Sequence, residues 1–316
     1  MIFVERAGIQ TTIQAGPRLG RRHLGVPWSG AADPLSMALA NRLCGNAWNT
    51  PVLEITFGPA SFRFDQPLTF AVTGAAALLA LDGQPLDPHK SYTAEGGSVL
   101  TIGVGKVGLR IYLAVAGGFD GQDFFGSRST YLPARFGGFE GRALKDGDAL
   151  ALLAPRSTGS GVATPVELIP AIHDSHVLRV CPSTEFASLT HASRRRLFEK
   201  PFIVAQQLDR MGLRLSGNRL EIRRGDENIP SAAVHPGVIQ CPAGGTPILL
   251  GSDAQTTGGY PRILSVIGAD LHRIGQIRPG DRVQLFYCSA PDAAKDARGI
   301  LAYYQGWIGS DWLYGG

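Results

Sequence analysis

The polarity pattern of the chain is dominated by short apolar runs that end at turn residues. β-branched and aromatic residues fill runs such as VLEITFG, LTFAVTG, SVLTIG, LRIYLAVAGG and RVQLFYC, and Gly, Pro or Asp separate these runs at close intervals. Runs of this length between turn signals are typical of β-strands, and long helical periods of the kind that alternate with strands in βαβ units are scarce. The pattern therefore predicts a mainly β protein, built from β-barrels or sandwiches, with a few short helices.

Two stretches with helical periodicity interrupt the strands. In the first, Asp33 can cap the N-terminus and Pro34 suits the first helical position, which predicts a helix over 34–44. The second begins after Ser289, where a serine followed three residues later by Asp292 indicates a capping box. The tail beyond this helix contains two tryptophans, and we expect it to dock against the body of the protein.

Two halves of the chain carry similar turns. The segments RALKDGDALAL (142–152) and QIRPGDRVQLF (276–286) each place Gly-Asp before a strand. This similarity suggests two related β lobes, although Gly-Asp before a strand is also common turn chemistry. A chain of 316 residues is long enough for two domains. We predict an N-terminal β lobe (1–155), a linker rich in Ser, Gly and Pro (156–165), a C-terminal β lobe (166–290) and a C-terminal helix with a tail (291–316).

Composition and charge narrow the class of protein. The net charge of +4 is mildly basic, but Lys and Arg are spread along the chain rather than clustered with aromatic residues, which argues against a nucleic-acid partner. No segment offers about 18 uninterrupted apolar residues and the start does not resemble a signal peptide, so we expect no membrane partner and a cytoplasmic location. The four cysteines have no metal-ligand or redox spacing, which predicts reduced thiols and no metal site.

The segment GVGKVG (103–108) matches the dinucleotide fingerprint G-x-G-x-x-G in its letters alone. That fingerprint has to open a helix, because the free N–H groups of the helix N-terminus bind the pyrophosphate. The run LRIYLAVAGG follows instead, and its pattern is that of a strand. We therefore interpret the segment as a β-hairpin turn and exclude a dinucleotide site.

The densest group of polar residues follows the apolar run that ends at Leu250, in the segment GSDAQTTGGYPRI (251–263). The segment offers a carboxylate, an amide, two hydroxyls, two glycine N–H groups, an aromatic ring and a cation. These belong to Asp253, Gln255, Thr256, Thr257, Gly258, Gly259, Tyr260 and Arg262. A turn needs only one or two such groups, and together they could move protons and stabilise developing negative charge. The residues alone leave a turn and a site both open.

Two further segments are candidate ligand loops. The region 112–148 contains many glycines, which permit close approach of a backbone, and it is too long for a plain hairpin. Its hydroxyls and cations include Ser127, Arg128, Ser129 and Arg142. The start of the first helix adds Ser29 and Asp33, where free N–H groups can bind an anion, although a capping Asp33 would already fill that role.

Seven segments of the chain carry a family resemblance. In order, they are SGAADPLSMALANRLCGN, YLAVAGGFD, FGSRSTYL, GGFEGRALKDGD, DRMGLRL, HPGVIQCPAGGTPILL and SDAQTTGGYPRI. Together they resemble the allophanate hydrolase subunit 2 family, also called biotin-dependent carboxyltransferase-like proteins. The chain departs from the family pattern at Ala232-Ala233 and at Leu208-Asp209, which leaves the identity of the substrate open.

The resemblance implies a cyclophilin-like β-barrel architecture and an assembly with a companion B subunit. In the 5-oxoprolinase branch, which this chain resembles most, an A subunit joins them, and the complex uses ATP to open the lactam of 5-oxo-L-proline to L-glutamate. The family also contains carboxyltransferase components of biotin-dependent urea carboxylase systems, and non-catalytic partners of a histidine-kinase inhibitor. This chain has no site for covalent biotin, because neither Met37 nor Met211 adjoins a lysine. It also has no Walker loop, so ATP would be held by a different kind of site or by partner subunits.

The resemblance and the residues together suggest a site between the two lobes. Arg128 or Arg210 would clamp a substrate carboxylate, and donors around Gln255 would hold the lactam oxygen or the phosphate formed on it. Asp253 would act as general acid or base, and Tyr260 would form a stacking wall. The predicted catalytic residues are Asp253 and Gln255; the predicted substrate-binding residues are Ser127, Arg128, Ser129, Arg210, Thr256, Thr257, Gly258, Gly259 and Tyr260; the secondary candidates are Ser29, Asp33, Arg142 and Arg262.

Overall fold

The computed structural model describes residues 1–157, 159–226, 229–309 and 312–313. Within these residues the chain forms twenty β-strands and three α-helices. The strands are β1 (Ile2–Arg6), β2 (Gln10–Gln14), β3 (Val52–Thr56), β4 (Ala60–Phe64), β5 (Leu68–Ala76), β6 (Leu79–Leu81), β7 (Gln84–Leu86), β8 (Ser91–Ala94), β9 (Val99–Ile102), β10 (Val107–Val115), β11 (Ala149–Leu150), β12 (Ser175–Pro182), β13 (Phe202–Leu208), β14 (Gly212–Ser216), β15 (Ala232–Ala233), β16 (Val238–Gln240), β17 (Ile248–Leu250), β18 (Thr257–Gly258), β19 (Arg262–Val266) and β20 (Arg282–Tyr287). The α-helices are α1 (Pro34–Leu43), α2 (His191–Glu199) and α3 (Ala290–Ile308), and 3-10 helices lie at Arg22–Leu24, Leu132–Ala134, Val166–Leu168, Phe186–Ser188 and Gly268–Gln276. The mainly β class predicted from the polarity pattern is confirmed.

Strands β1 to β11 form two antiparallel sheets that share one apolar core. Their strand orders are β11-β1-β4-β9-β6-β7 and β2-β3-β10-β5-β8. Alternate side chains of each strand point into the core, so Ile2 and Val4 of β1 lie in the same buried cluster as Ile111 and Leu113 of β10. Burying each such side chain contributes roughly 1.5 to 3 kcal/mol. The N-terminal part of the chain is therefore a β-sandwich.

Seven of the later strands form a closed barrel in the order β12-β19-β16-β17-β14-β13-β20. The barrel closes where its first strand, β12, pairs with its last, β20, in parallel over 175–180 and 282–287. Leu178, Val180, Val283 and Leu285 point into the barrel core, whereas Val177, on the other face of β12, is exposed. The barrel architecture expected from the sequence is confirmed.

Side-chain caps fix the starts of α1 and α3. The Asp33 carboxylate accepts a hydrogen bond from the Ser36 N–H at 3.0 Å, and α1 ends at Leu43, one residue before the predicted end. The Ser289 hydroxyl oxygen accepts a hydrogen bond from the Asp292 N–H at 3.3 Å at the start of α3. Both predicted caps are thus present, and they satisfy N–H groups that have no partner within the helix.

The C-terminal helix α3 packs against α1. Their contact is one apolar cluster that contains Leu35, Leu39, Tyr304, Trp307 and Trp312. The Arg42 guanidinium lies 4.8 Å from the centroid of the Trp307 ring, and its Nε donates to the Trp307 carbonyl at 2.8 Å. Trp312 is therefore docked as expected, while residues 310–311 and 314–316 of the predicted tail lie outside the described residues.

The predicted linker (156–165) lies along the sandwich. The Ser91 N–H donates to the Val162 carbonyl at 2.8 Å, and the Thr164 N–H donates to the His89 carbonyl at 2.9 Å. Residue 158 of this linker lies outside the described residues. Within the described residues every sheet lies entirely on one side of the linker, and the domain boundaries stay a prediction.

The segment 103–106 is not a hairpin turn. β9 pairs with β4 and β6 in the six-stranded sheet, whereas β10 pairs with β3 and β5 in the five-stranded sheet. The chain therefore crosses from one sheet to the other here, and the hairpin prediction is wrong, because a glycine-rich turn between two strands does not reveal the partner of either. Gly108 has φ 82, and a Cβ there would lie 2.8 Å from the Oε1 of Gln276, so glycine is required at this crossing.

His89 makes the stability of the sandwich depend on pH. It is 7% exposed, its Nδ1 has no hydrogen-bond partner in the described part of the chain, and its φ is 60. Burial lowers the pKa of His89 from 6.5 to about 4, so between these values the unfolded chain binds a proton that the native protein does not. We expect the free energy of unfolding to fall by up to about 3 kcal/mol as the pH falls from about 7 to about 4.

The variant His89→Asn isolates this effect, because Asn tolerates a positive φ and does not titrate in this range. Urea unfolding of both proteins at several pH values gives the difference in their free energies of unfolding. Burial also lowers the pKa values of His176 and His272, but their contribution is common to both proteins and cancels in the difference. Parallel curves for the two proteins would contradict the prediction.

Candidate functional site

Arg210 links the two lobes through a buried hydrogen-bond network. It lies in the turn between β13 and β14 and is 4% exposed. Its Nε and Nη2 donate to the two carboxylate oxygens of Asp253 at 2.9 and 3.0 Å, and its Nη1 donates to Glu54 on β3. Its Nη2 also donates to the carbonyl of Gly30 at 2.5 Å. One cation of the barrel therefore binds a carboxylate from each lobe.

Glu54 is ionised although it is 2% exposed. Burial alone would raise the pKa of Glu54, but Arg210 and Arg110, helped by hydrogen bonds from the Ala32 N–H and the Tyr112 hydroxyl, outweigh burial and lower it. The Arg110 Nε lies 3.2 Å from the Glu54 Oε1. Burial also opposes the charge of Arg210, yet Asp253 and Glu54 outweigh it and raise the Arg210 pKa. Each buried charge is thus compensated by its neighbours.

Gln276 extends the network to the start of α1. Its Nε2 donates to the Asp33 Oδ2 at 2.7 Å and to the Arg110 carbonyl at 3.1 Å, while its Oε1 accepts two backbone N–H groups of β10. The Tyr112 hydroxyl accepts from the Asp33 N–H at 2.8 Å and donates to the Glu54 Oε2 at 2.8 Å. The N-terminus of α1 is therefore fixed by both lobes.

These contacts occupy the polar groups of Arg210 and Asp253. Both oxygens of Asp253 accept hydrogen bonds from Arg210, and Asp253 is 1% exposed. A general acid or base has to reach the proton that it moves, and a carboxylate clamp has to direct its donors at the substrate. In this arrangement the two side chains bind each other and position the segment that follows Asp253, and the acid/base role of Asp253 and the clamp role of Arg210 stay predictions.

A groove beside the network is lined by two amide side chains, of which Gln255 is half-buried and Gln240 is buried. We call it the amide groove and define it by Asp209, Met211, Arg214, Gln240, Gln255 and Tyr260, which line it. The Gln255 Nε2 donates to the Gln240 Oε1 at 3.3 Å, and the Gln240 Nε2 donates to the Tyr260 carbonyl at 3.2 Å. The Tyr260 side chain and Arg214 are exposed. The amide groove thus combines amide donors and acceptors, an aromatic surface and a cation.

The threonines and glycines of the predicted site form a short ladder next to Gln240. In this ladder β18 (Thr257–Gly258) pairs with β15 (Ala232–Ala233). A Cβ at Gly258 would lie 2.7 Å from the Gln240 Nε2, so the absence of a side chain lets the ladder approach the amide. Substrate binding by Thr256, Thr257, Gly258 and Gly259 stays a prediction.

The loop that contains Ser127, Arg128 and Ser129 lines a different cleft from the amide groove. The Oγ atoms of Ser127 and Ser129 both donate to the Gly16 carbonyl, at 2.6 and 3.2 Å. The Nε of Arg128 donates to a backbone carbonyl of its own loop at 3.0 Å, and its side chain lines a cleft that includes none of the residues of the amide groove. Arg128 and Gln255 therefore do not share one cavity, which corrects the prediction of a single site walled by both.

Ser29 and Asp33 lie within the lobe junction. Ser29 is buried with φ 52, and its Oγ has no hydrogen-bond partner among the described residues. The two oxygens of Asp33 accept hydrogen bonds from Ser36 and Gln276. Asp33 is thus held as a helix cap, whereas a ligand role for Ser29 stays a prediction.

Arg142 and Arg262 each hold a turn. Two nitrogens of Arg142 donate to Asp148 at 2.7 and 2.9 Å, and two nitrogens of Arg262 donate to Glu185 at 2.8 and 2.6 Å. Hydrogen bonds to these carboxylates raise the pKa values of both arginines. The bidentate edges of both arginines are occupied by these carboxylates, and a ligand role for either stays a prediction.

Arg18 is a buried cation that the sequence analysis missed. It is 1% exposed, its Nε donates to the Phe124 carbonyl at 2.8 Å, and its guanidinium lies 4.9 Å from the Phe136 ring centroid. Burial lowers the pKa of Arg18 to about 10, an effect that Asp253 partly offsets. Its Nη1 has no hydrogen-bond partner in the part of the chain that the structure describes. Arg18 therefore holds the loop around Phe124 at a place where its charge interacts with that of Asp253.

Arg22 and Glu54 also contribute to the contact between the lobes and were not predicted, although the position of Glu54 along the chain gave an indication. The Arg22 Nη2 donates to the carbonyls of Val234 and Gln255, the latter at 2.9 Å, so the N-terminal lobe orients the predicted site. Glu54 interrupts the apolar run VLEITF, and a carboxylate in a core strand requires a buried partner. That interruption could have identified the network, but not Arg210 as its partner.

The described residues contain neither a metal-binding cluster nor a membrane-spanning helix. Among them, no group of three or more His, Cys, Asp or Glu side chains is arranged to hold a metal ion. No helix in this part of the chain is long and apolar enough to cross a membrane.

Comparisons with known proteins show similarity across both lobes. The family "Carboxyltransferase domain, subdomain A and B" matches residues 24–286. The chain is 37% identical to the 5-oxoprolinase C subunit of Escherichia coli over 96% of this chain and 97% of that protein. It is 34% identical to urea amidolyase of Saccharomyces cerevisiae over 90% of this chain and 16% of that protein. The solved structure of the K. lactis urea amidolyase matches with a TM-score of 0.89 at 28% identity, over 96% of this chain and 20% of that one.

Proposed function

The chain belongs to the carboxyltransferase domain family, subdomains A and B, and from this premise we propose that it is the C subunit of an ATP-dependent 5-oxoprolinase. In this proposal it works with companion A and B subunits to open the lactam of 5-oxo-L-proline to L-glutamate. One observation carries the proposal. The similarity to a 5-oxoprolinase C subunit extends over 97% of that protein at 37% identity, whereas the urea amidolyase match covers 16% of a longer enzyme at 34% identity.

The amide groove suits a lactam. A lactam has one carbonyl acceptor and one N–H donor, and the half-buried Gln255 amide in this groove can both donate and accept, while the buried Gln240 Oε1 holds its Nε2 at 3.3 Å. Opening the ring places negative charge on the lactam oxygen in the transition state, so a fixed amide donor from Gln255 stabilises the reacting state more than the substrate. Arg214, exposed in the same groove, takes the role of carboxylate partner that the sequence analysis gave to Arg128 or Arg210.

Contacts made by Arg210 and Arg22 between the two lobes hold one side of this groove in place. Arg210 holds Asp253 while Arg22 holds the carbonyl of Gln255, so the residues on either side of Ala254 are fixed by buried or half-buried cations. A catalytic donor is effective only when it is held in place before the reaction. The network therefore acts on the reaction by positioning Gln255.

Two features of the chain that could bind the phosphates of ATP are not arranged for this role. The start of α1 is the helix N-terminus at the lobe junction, and it is occupied by the Asp33 carboxylate, which would repel a phosphate. The glycine-rich segment 103–106 lies between two strands and opens no helix. We therefore propose that partner subunits hold the phosphates of ATP and that this chain contributes to the lactam site.

Reconstitution tests the proposed function. We expect glutamate to be released from 5-oxoproline in an ATP-dependent way when the chain is combined with its A and B partners, and release to be lost when this chain alone is left out. A parallel reaction with urea and a biotinylated carrier protein tests the carboxyltransferase alternative. An intact assembly that releases no glutamate would overturn the proposal; carboxylated urea would then favour a carboxyltransferase, and no turnover a non-catalytic partner.

A further inference from the structure

Two cysteines meet at the seam where the barrel closes. β12 and β20 pair in parallel with Val180 opposite Tyr287, so the next residues, Cys181 and Cys288, lie opposite each other. The Cys288 N–H donates to the Val180 carbonyl at 2.9 Å, which continues the pairing up to this position. Neighbouring strands are about 4.7 to 4.9 Å apart, and Cα atoms joined by a disulfide are usually about 4.4 to 6.8 Å apart. The spacing is therefore compatible with a bond between the two sulfurs.

The surroundings of the pair keep both thiols in one place. Cys288 belongs to a small buried cluster with Ile267 and Ala269, and Cys181 packs against the same cluster while remaining partly exposed. Burial raises the pKa of the Cys181 thiol, and the neighbouring Cys288 thiol adds to this effect through a direct interaction between the two side chains. The pair thus combines a thiol that solvent reaches with a buried thiol beside it.

An ion-pair clamp holds the start of α3 next to β12. The Arg179 Nη2 donates to Asp270 and its Nη1 donates to Asp296 of α3, each at 2.6 Å. Cys288 precedes the Ser289 cap of the same helix. The remaining cysteines, Cys44 and Cys241, are each fully buried in separate clusters and cannot reach either member of the pair without unfolding.

We propose that Cys181 and Cys288 are a modification site at which a small disulfide oxidant forms a reversible disulfide bond across the barrel seam. With oxidised glutathione, the Cys181 thiolate attacks one sulfur of the oxidant, and the first glutathione thiolate leaves. The Cys288 thiolate then attacks the Cys181 sulfur of the mixed disulfide, and the second glutathione leaves. Two protein thiols are oxidised, one glutathione disulfide is reduced to two glutathione thiols, and the two thiol protons pass to these products.

The bond would join the first and last strands of the barrel. It would close a loop over residues 181–288, and a crosslink across a long loop restricts the unfolded chain strongly. We therefore expect the oxidised protein to melt at a temperature several degrees above that of the reduced protein. Because the neutral thiols are favoured here, the reaction is expected to speed up as the pH is raised toward the thiol pKa values.

The experiment oxidises the full-length chain with oxidised glutathione and counts free thiols in denaturant. The wild-type protein, with four cysteines, is expected to lose two thiols and two hydrogen masses, and a reductant should restore both. Peptide mapping without reduction should recover one crosslinked pair, containing residues 181 and 288. Cys181→Ser and Cys288→Ser should each abolish the crosslink, while Cys241→Ala should retain it.

Three results would overturn the proposal. One is a wild-type protein that keeps all four thiols under conditions in which a model dithiol is oxidised. A second is a glutathione adduct on Cys181 that never resolves to the crosslink. The third is an equal loss of thiols in Cys181→Ser, with circular dichroism showing that this variant is folded. Since glutamate release is not measured, none of these results depends on the proposed function.

Discussion

Replacing Arg210 with Met is expected to lower the free energy of unfolding by about 3 to 5 kcal/mol. The guanidinium is the common partner of Asp253 and Glu54, whose side chains are at most 2% exposed. Without it, Asp253 loses both of its hydrogen bonds, whereas Glu54 keeps the ion pair with Arg110 at 3.2 Å and its hydrogen bonds from the Ala32 N–H and the Tyr112 hydroxyl. The Asp253 carboxylate would then lie uncompensated in a medium that solvates it poorly.

Urea unfolding followed by circular dichroism measures this effect, and two variants control for it. Arg214→Met removes an exposed arginine from the next strand and should change the free energy of unfolding by about 0.5 kcal/mol or less. A double variant, Arg210→Met with Asp253→Asn, removes the cation together with the carboxylate that depends on it and leaves Glu54 paired with Arg110 at 3.2 Å, so it should be less destabilised than Arg210→Met alone. If the free energy of unfolding of Arg210→Met lay within about 1 kcal/mol of the wild-type value, the network would not hold the lobes together.

The Gln255→Ala variant is expected to lower kcat for glutamate release by the reconstituted complex about 100-fold, the usual effect of deleting one donor to a developing oxyanion. Gln255 is the member of the amide groove whose backbone is fixed by Arg22 and whose side chain is in contact with Gln240. Its loss removes the donor but leaves the buried network, so the stability of the protein should change little.

Steady-state kinetics with 5-oxoproline checks this prediction. Gln255→Glu has nearly the same shape and lacks the amide donor, so we expect it to lose as much activity as Gln255→Ala. Gln206→Ala is the matched control, because Gln206 is an exposed glutamine of β13 that does not line the groove, and it should retain wild-type kinetics. Full activity of both Gln255 variants would exclude the amide groove as the lactam site.

Local features of the fold could be predicted because their causes lie within a few residues. The strand pattern follows from alternation of apolar residues between turn signals, and the caps at Asp33 and Ser289 depend on side chains three residues from the N–H groups that they accept. The predicted hairpin between β9 and β10 was wrong because the strands that pair with β9 and β10 are determined by the packing of two sheets. The glycines between β9 and β10 carry no information about that packing.

The site was less predictable because its contacts are long-range. Arg210 and Glu54 are 156 positions apart, and nothing near either residue indicates the other. The sequence identified Arg210, Asp253 and Gln255 as chemically capable, but it could not show that two of them bind each other and that only Gln255 faces the groove. Arg128 illustrates the same limit: it belongs to a polar loop, and only the fold directs it into a different cleft.

The parallel pairing of β12 with β20 also sets an order of events during synthesis. The barrel cannot close until the ribosome has made residue 287, because its first strand pairs with its last, whereas every strand of the sandwich is complete by residue 150. Arg210, the cation that pairs with Glu54 across the lobes, belongs to this later-closing barrel, whereas Arg110 belongs to the sandwich. Until the barrel has folded against the sandwich, the Glu54 carboxylate therefore has one of its two arginine partners.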